Sequence, residues 1–82
     1  MSITFIEDQA VMAGQVNVEE AETTLEWLIQ HPAGRIDMQA VEHLHAAILQ
    51  VLMAARPVVV SWPQNTAVRL WLQAALTLGA LE

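Results

Sequence analysis

The fold of this 82-residue chain is decided by residues 35–60, which have the sequence RIDMQAVEHLHAAILQVLMAARPVVV. The opening part, from Arg35 to Val41, predicts a short strand because apolar and polar residues alternate along it. From about His45 to Ala55 the residues are apolar nearly all round a helix, which is typical of a central helix covered on several sides. The β-branched run 58–60 then predicts a strand buried on both faces of a parallel sheet. Two parallel strands joined by a helix form a β-α-β unit with a right-handed crossover.

Upstream of this unit, the first sixteen residues predict a β-hairpin. The segment from Ser2 to Ile6 alternates and is rich in strand-forming residues. The polar residues 7–9 predict a turn, and the apolar pattern resumes from Ala10 to Val16. Gly14 within the second strand indicates a β-bulge or a close approach of another backbone.

A first helix is predicted after the hairpin, starting near Asn17. Asn17 followed by Glu20 three residues later forms a capping-box pattern, in which each residue can satisfy a free amide of the helix start. The buried face of this helix is predicted from apolar residues at helical spacing, which are Val18, Ala21, Leu25, Leu28 and Ile29. Trp27 falls off this stripe, which leaves open whether it anchors an interface or is partly buried at the edge of the core.

The C-terminal region predicts a third helix, capped by Asn65 and ending near Leu78, with Gly79 as its C-terminal cap. Its apolar side is formed by Val68, Trp71, Leu72 and Ala75, and we expect Trp71 to lie in the core. The element order is therefore β-β-α-β-α-β-α. It predicts one small α/β domain over residues 1–82, with a mainly parallel central sheet.

The charge balance argues against two classes of partner. Nine acidic residues oppose three arginines, no lysine is present, and the formal net charge is −6. Such a chain repels nucleic-acid phosphates and anionic lipid headgroups. No apolar run is long enough to span a membrane, no leader sequence opens the chain, and there is no cysteine. We therefore expect a cytoplasmic protein that binds no nucleic acid, does not insert into a membrane and has no thiol chemistry.

Apolar residues make up 55% of the chain, which is more than in most globular proteins. A small domain cannot hide all of this apolar surface, so the excess indicates a homodimer or a partner-binding face. A dense core with ordinary surface leucines is the alternative interpretation.

At the third strand the sequence resembles the STAS family (sulphate transporter and anti-sigma factor antagonist). Residues 36–49, IDMQAVEHLHAAIL, resemble the family signature, in which a strand with an aspartate leads through a short loop to Asp-Ser-Ser/Thr-Gly at a helix start. Residues 14–17, GQVN, resemble the family's Gly-Glu-Leu-Asp strand, and residues 66–69, TAVR, resemble the helix after the fourth strand. The resemblance implies a small STAS-like fold.

The same resemblance implies that a regulatory group is missing. In the anti-sigma antagonists of the family, a serine or threonine at the start of the second helix is phosphorylated by a partner kinase, and the helix terminus favours the added negative charge. Ala46 occupies that position here, so we expect no phosphorylation at it. What the family then implies is a scaffold that binds a partner without this switch.

We expect the partner to contact the predicted loop from Glu42 to His45 and the exposed side of the second helix. The candidate partner-binding residues are Glu42, His43, His45, Ala46, Ala47 and Gln50, with Trp27 added as a candidate anchor. Asp37 is expected to organise this loop, because a carboxylate at the carboxyl end of a strand can accept hydrogen bonds from loop amides.

His43 and His45 also allow a metal-binding hypothesis. Residues two apart on an extended segment point to one side, so the two rings could supply two ligands to a divalent ion. A closed site needs about four ligands, and only His31 and scattered carboxylates remain to complete it. The favoured interpretation is that His45 caps or flanks the second helix and His43 covers the core edge, so no metal or other cofactor is predicted.

The sequence contains no recognisable catalytic set. Ser2 and Ser61 have no neighbouring histidine, and the glycines are isolated, so no enzyme activity is expected. We predict a non-catalytic protein–protein interaction module in bacterial signalling, with a partner of the kinase, sigma-regulatory or response-regulator type. The alternatives are an accessory subunit of an ABC-type transporter and a small metal- or ligand-binding protein.

Overall fold

A computed structural model describes the backbone of residues 2–81 and the side chains of residues 2–76. A 3-10 turn at Val18–Glu20 precedes the first α-helix. The other elements, in chain order, are β1 (Ile3–Ile6), β2 (Gln9–Val16), α1 (Ala21–Gln30), β3 (Arg35–Leu44), α2 (Ala46–Ala55), β4 (Val58–Ser61) and α3 (Thr66–Leu81).

The strands form one mixed four-stranded sheet in the order β1-β2-β3-β4. β1 pairs antiparallel with β2, whereas β2 with β3 and β3 with β4 pair in parallel. The prediction of an α/β fold is confirmed. The expectation of a mainly parallel sheet is met only in part, because the hairpin supplies an antiparallel edge strand.

The helices cover one face of this sheet. Alternate residues of each long strand, such as Ala10, Met12, Ile36 and Met38, are buried in a single core with residues of all three helices. α2 packs against both α1 and α3, so it is the central helix, as its nearly uniform apolar surface predicts.

The opposite face of the sheet is exposed, and this changes the interpretation of β4. Val58 is 60% exposed, and Val60 is also exposed. The prediction that this strand is buried on both faces is wrong, because β4 is an edge strand that is covered on one side only.

The buried face of α1 differs from the predicted stripe. Thr24, Trp27 and Leu28 are buried, whereas Ile29 is 69% exposed, and Leu25 is exposed too. A threonine can face the core here because its hydroxyl donates to the Glu20 carbonyl oxygen at 2.7 Å, which satisfies its only donor. The predicted stripe is therefore correct at Leu28 and at the partly buried Ala21, and it is wrong at Val18, Leu25 and Ile29, which are exposed.

Trp27 belongs to the core and not to the surface. Its side chain is only 8% exposed, and its ring stacks between Phe5 and His31, with centroid distances of 5.3 and 4.5 Å. Its predicted position away from the buried face of the helix is wrong, because the buried stripe of α1 is centred on Thr24 and Leu28.

Several local predictions are confirmed by hydrogen bonds. The Glu20 carboxylate accepts from the Asn17 amide at 3.2 Å and also binds the Ser2 amide and hydroxyl at 3.0 and 2.7 Å. This one side chain thus ties the start of β1 to the 3-10 turn. Asn65 caps α3, because its Oδ1 accepts from the Val68 amide at 3.1 Å.

The predictions made for Gly14 and Gly79 compare differently with the structure. Gly14 has a φ of +66° and pairs with Val41 between two shifts of register of β2 with β3. An irregularity of pairing is therefore present next to Gly14, but the extra residues belong to β3, and no backbone comes within 4 Å of a Cβ built on Gly14. Gly79 does not end the last helix, because α3 continues past it to Leu81.

Candidate partner-binding site

The predicted loop before α2 is instead the end of β3. His43 pairs with Gln15 and Leu44 pairs with Val16, and the His45 amide then donates to the Val16 carbonyl oxygen at 2.9 Å. Pairing with β2 thus continues to the last residue before the helix. The prediction of a loop from Glu42 to His45 is wrong, and the strand delivers these residues on a rigid backbone.

His45 caps α2. Its backbone is extended, and its Nδ1 accepts from the Ala47 amide at 3.0 Å. Because Nδ1 is the acceptor, the ring proton lies on Nε2. The capping interpretation of His45 is confirmed, and it means that the protein's own side chain satisfies one of the amides at this helix start.

The start of α2 is open to a partner on one side. Ala46, the first residue of the helix, is exposed, and Gln50, one turn later on the same face, is exposed as well. Ala47 is partly buried. Ala54 continues the exposed stripe at the far end of the helix.

A cleft lies beside this helix start, between the end of β3 and the first turns of α3. It has a volume of about 300 Å³ and is lined by His43, Leu44, Ala67, Val68 and Trp71. Trp71 is 43% exposed, so its predicted place in the core is wrong; Leu72, the next residue, is fully buried instead. Trp71 is the residue of this site that sequence reasoning missed, because it sits at the edge of an apolar stripe.

Two predicted contributors lie outside this group. Trp27 is buried against Phe5 and is not presented to a partner. Asp37 lies near the start of β3, and its Oδ1 accepts from the Gln39 amide of the same strand at 3.0 Å. The expectation that Asp37 organises the segment before α2 is wrong, because the strand extends seven residues beyond it to Leu44.

The histidines are not gathered into one cluster. His31 stacks on Trp27, and its Nδ1 lies 2.9 Å from the Trp27 carbonyl oxygen. Among the described side chains, no three or more histidine, cysteine, aspartate or glutamate residues are grouped so that they could hold a metal ion. Within residues 2–81, no helix has the length and apolar character needed to cross a bilayer.

The cap on α2 leads to a first prediction. Replacing His45 by alanine removes the acceptor for the Ala47 amide, and we expect the free energy of unfolding to fall by about 1 kcal/mol. His45→Asn restores a capping acceptor and should recover most of the loss. Urea denaturation followed by circular dichroism measures both variants. Equal losses in the two would show that the ring contributes by packing and not as a cap.

The sequence matches no protein-family model, and a comparison with curated proteins finds no significant similarity.

Proposed function

We propose that this chain is a non-catalytic, STAS-like adaptor that binds a signalling protein. The contact lies where α2 and α3 begin, on a surface formed by His43, His45, Ala46, Gln50 and Trp71, called the docking surface below. The observation that carries the proposal is the exposure of Ala46 at the first position of α2, next to a cleft lined by a half-exposed tryptophan.

The chemistry of the helix start favours constant binding over a phosphate switch. Ala46 has no hydroxyl to receive a phosphoryl group, and the His45 ring satisfies the amide of Ala47. A partner would therefore meet a surface that carries no phosphoryl group and whose helix start is capped by the chain's own side chain. Tryptophan is enriched among the residues that dominate binding energy, so Trp71 is the expected anchor.

The negative charge of the chain further restricts the kind of partner that is expected. With a formal net charge of −6, the protein attracts proteins that present a basic surface and associates faster with them at low salt. A signalling partner of the kinase, sigma-regulatory or response-regulator type with a basic rim around an apolar pocket fits these features.

Capture with a matched pair of variants tests this proposal. Ala46→Arg places a long charged side chain on the docking surface, whereas Ala54→Arg makes the same change on the same exposed stripe at the other end of α2. A bacterial cell extract is passed over each immobilised protein, and the proteins that bind are identified by mass spectrometry. We expect one signalling protein to be retained by the unaltered chain and by Ala54→Arg, and its recovery to fall about tenfold or more with Ala46→Arg.

The outcomes separate the hypotheses. Equal recovery by both arginine variants would contradict the docking surface. Retention of an ATPase subunit in place of a signalling protein would support the accessory role in an ABC-type transporter. Circular dichroism of each variant confirms that the comparison is between folded proteins.

A further inference from the structure

A groove lies between α1 and α2, at the end of α2 opposite the docking surface. Both helices join parallel strands of one sheet, so they run in the same direction and end side by side. The groove between their ends has a volume of about 370 Å³. Its α1 wall includes Leu25, Leu28 and Ile29, and its α2 wall is formed by Ala54, Ala55 and Pro57. Along α2 it lies about 12 Å from Ala46, so it is separate from the docking surface.

The walls of this groove are shaped to receive a helix. Ile29 is the most exposed of the described large apolar side chains, and Leu25 beside it is exposed as well. α1 therefore has apolar residues on two sides, because Trp27 on its other side already fills the core. Across the groove, Ala54 and Ala55 have the smallest side chains that a helix can carry apart from glycine, so the backbone of another helix can approach α2 closely.

Two carboxylates stand beside the exposed apolar residues of α1. Glu22 precedes Leu25 by three residues. Glu26 precedes Ile29 by the same interval, and residues at this spacing are neighbours on a helix surface. The two glutamates are also one turn apart, a spacing at which like charges repel. No hydrogen bond or ion pair joins either side chain to another described residue, and α1 contains no lysine or arginine. A cation supplied by a partner would relieve this repulsion.

The helix ends add to the negative potential of the groove. α1 ends at Gln30 and α2 ends at Ala55, so two carboxyl-terminal ends with partial negative charge lie at this end of the groove. Arg56 follows α2 directly, but its side chain lines a different cavity, which it shares with Met53 and Trp62. No lysine or arginine is among the described residues that line the groove. An apolar groove with an acidic border and two negative helix ends favours a cationic ligand.

We propose that this groove binds a basic amphipathic helix of a second partner protein, distinct from the protein at the docking surface. Large apolar side chains of that helix enter between Ile29 and Ala54, and its lysine or arginine residues pair with Glu22 and Glu26. The α1 wall from Glu22 to Ile29 is about 10 Å long, so a helix of about three turns covers it. A second copy of α1 does not fit, because it would bring carboxylates against carboxylates.

Titration with a model peptide tests this proposal. The probe is an amphipathic peptide of about 15 residues, built of leucine and lysine, which forms about four helical turns. A peptide with glutamate in place of lysine is its control, and fluorescence anisotropy measures the binding of both. We expect the glutamate peptide to bind at least about 30-fold more weakly. In NMR spectra of the backbone amides, the lysine peptide should shift the signals of Leu25, Ile29 and Ala54 and leave that of Trp71 unchanged.

A matched pair of double variants tests the two carboxylates. Glu22→Gln together with Glu26→Gln should weaken binding of the lysine peptide about tenfold or more. Glu7→Gln together with Asp8→Asn makes the same change of net charge at the hairpin turn, and it should weaken binding by less than about threefold. Equal weakening by the two double variants would show that only the net charge attracts the peptide, which would overturn the proposal.

The apolar contact is tested by a second matched pair. Ile29→Asn should weaken binding about tenfold, whereas Leu70→Asn makes a similar change on α3 and should have no effect. Both side chains are exposed, so both variants should fold, and circular dichroism checks this. A lysine peptide that binds no better than the glutamate peptide, or that binds the folded Ile29→Asn variant undiminished, would overturn the proposal.

Two arginine variants keep this test separate from the docking surface. Ala54→Arg adds a cation to the α2 wall and should weaken binding of the lysine peptide, whereas Ala46→Arg should leave it unchanged. The capture experiment has the opposite expectation for the signalling protein. A peptide that Ala46→Arg displaces would overturn the separate groove. A dimer of the unaltered chain that Ile29→Asn dissociates in sedimentation equilibrium would place a second copy in the groove and also overturn the proposal.

Discussion

Trp27→Ala is expected to lower the free energy of unfolding by about 3–5 kcal/mol, which is most of the stability of a domain this small. The indole is 8% exposed and fills the space between the hairpin and the end of α1. Its ring stacks on Phe5 of β1 and on His31, so its removal opens a cavity that touches two elements at once. Phe5 is not free to collapse into the gap because β1 is held in the sheet, and His31 is held at the end of α1 by the hydrogen bond of its amide to the Trp27 carbonyl oxygen.

Gly34 shows how closely the chain is fitted around this ring. A Cβ on Gly34 would lie 2.7 Å from Cζ3 of Trp27 and 2.9 Å from the carbonyl oxygen of His31. No other residue fits the turn between α1 and β3 without displacing the indole or the backbone. The turn and the tryptophan therefore form one packed unit, which supports the upper part of the expected loss.

Urea denaturation monitored by far-ultraviolet circular dichroism measures the effect of Trp27→Ala. Trp71→Ala removes the same side chain from an exposed position and serves as the matched control, with an expected loss of about 1 kcal/mol or less. A loss below about 1.5 kcal/mol for Trp27→Ala would contradict the central packing role of this ring.

Elements with a strong local signal follow from the sequence. The β-α-β unit of residues 35–60 is present as the alternation of β3, the uniform apolarity of α2 and the β-branched run of β4 predict, although the run does not reveal that β4 lies at the edge of the sheet. The caps by His45 and Asn65 also follow, because each depends on chemistry within a few residues.

The orientation of α1 does not follow from the sequence. A threonine counts as polar when the apolar periodicity of a helix is assessed. The hydroxyl of Thr24, however, donates a hydrogen bond to the Glu20 carbonyl oxygen, so the side chain can be buried. Once Thr24 can face inward, the helix rotates to bury the large indole of Trp27 and leaves Ile29 in solvent. The gain from burying a tryptophan outweighs the loss from exposing an isoleucine, and this comparison depends on tertiary packing.

The exposure of part of the candidate site is predicted from the sequence, whereas the burial of Trp27, the exposure of Trp71 and the strand in place of the loop are not. His43, His45, Ala46 and Gln50 are exposed together at one end of the domain, as partner binding requires. The length of β3 depends on its pairing with β2. This pairing joins residues that are distant in the sequence, so it cannot be predicted from the residues of β3 alone. For the same reason the exposed side of β4 follows only from its place at the edge.

The exposed tryptophan of the docking surface provides the second large effect. Trp71→Ala is expected to weaken partner binding by about 30-fold or more, which corresponds to about 2 kcal/mol for a central aromatic anchor. The ring is 43% exposed in the free chain and lines a cleft of about 300 Å³ with His43. A partner side chain that enters this cleft would bury the rest of the indole, and the variant removes that whole contact while Leu72 keeps α3 packed on the core.

Isothermal titration with the protein recovered in the capture experiment measures the loss, and Leu70→Ala is the matched control. Leu70 precedes Trp71 on the same helix and is also an exposed apolar residue, but it does not line the cleft. We expect the Leu70 variant to bind within about threefold of the unaltered chain, as most residues outside a binding hot spot do. Equal weakening by both variants would indicate a diffuse apolar contact along α3, whereas loss through Trp71 alone assigns the binding energy to the cleft between β3 and α3.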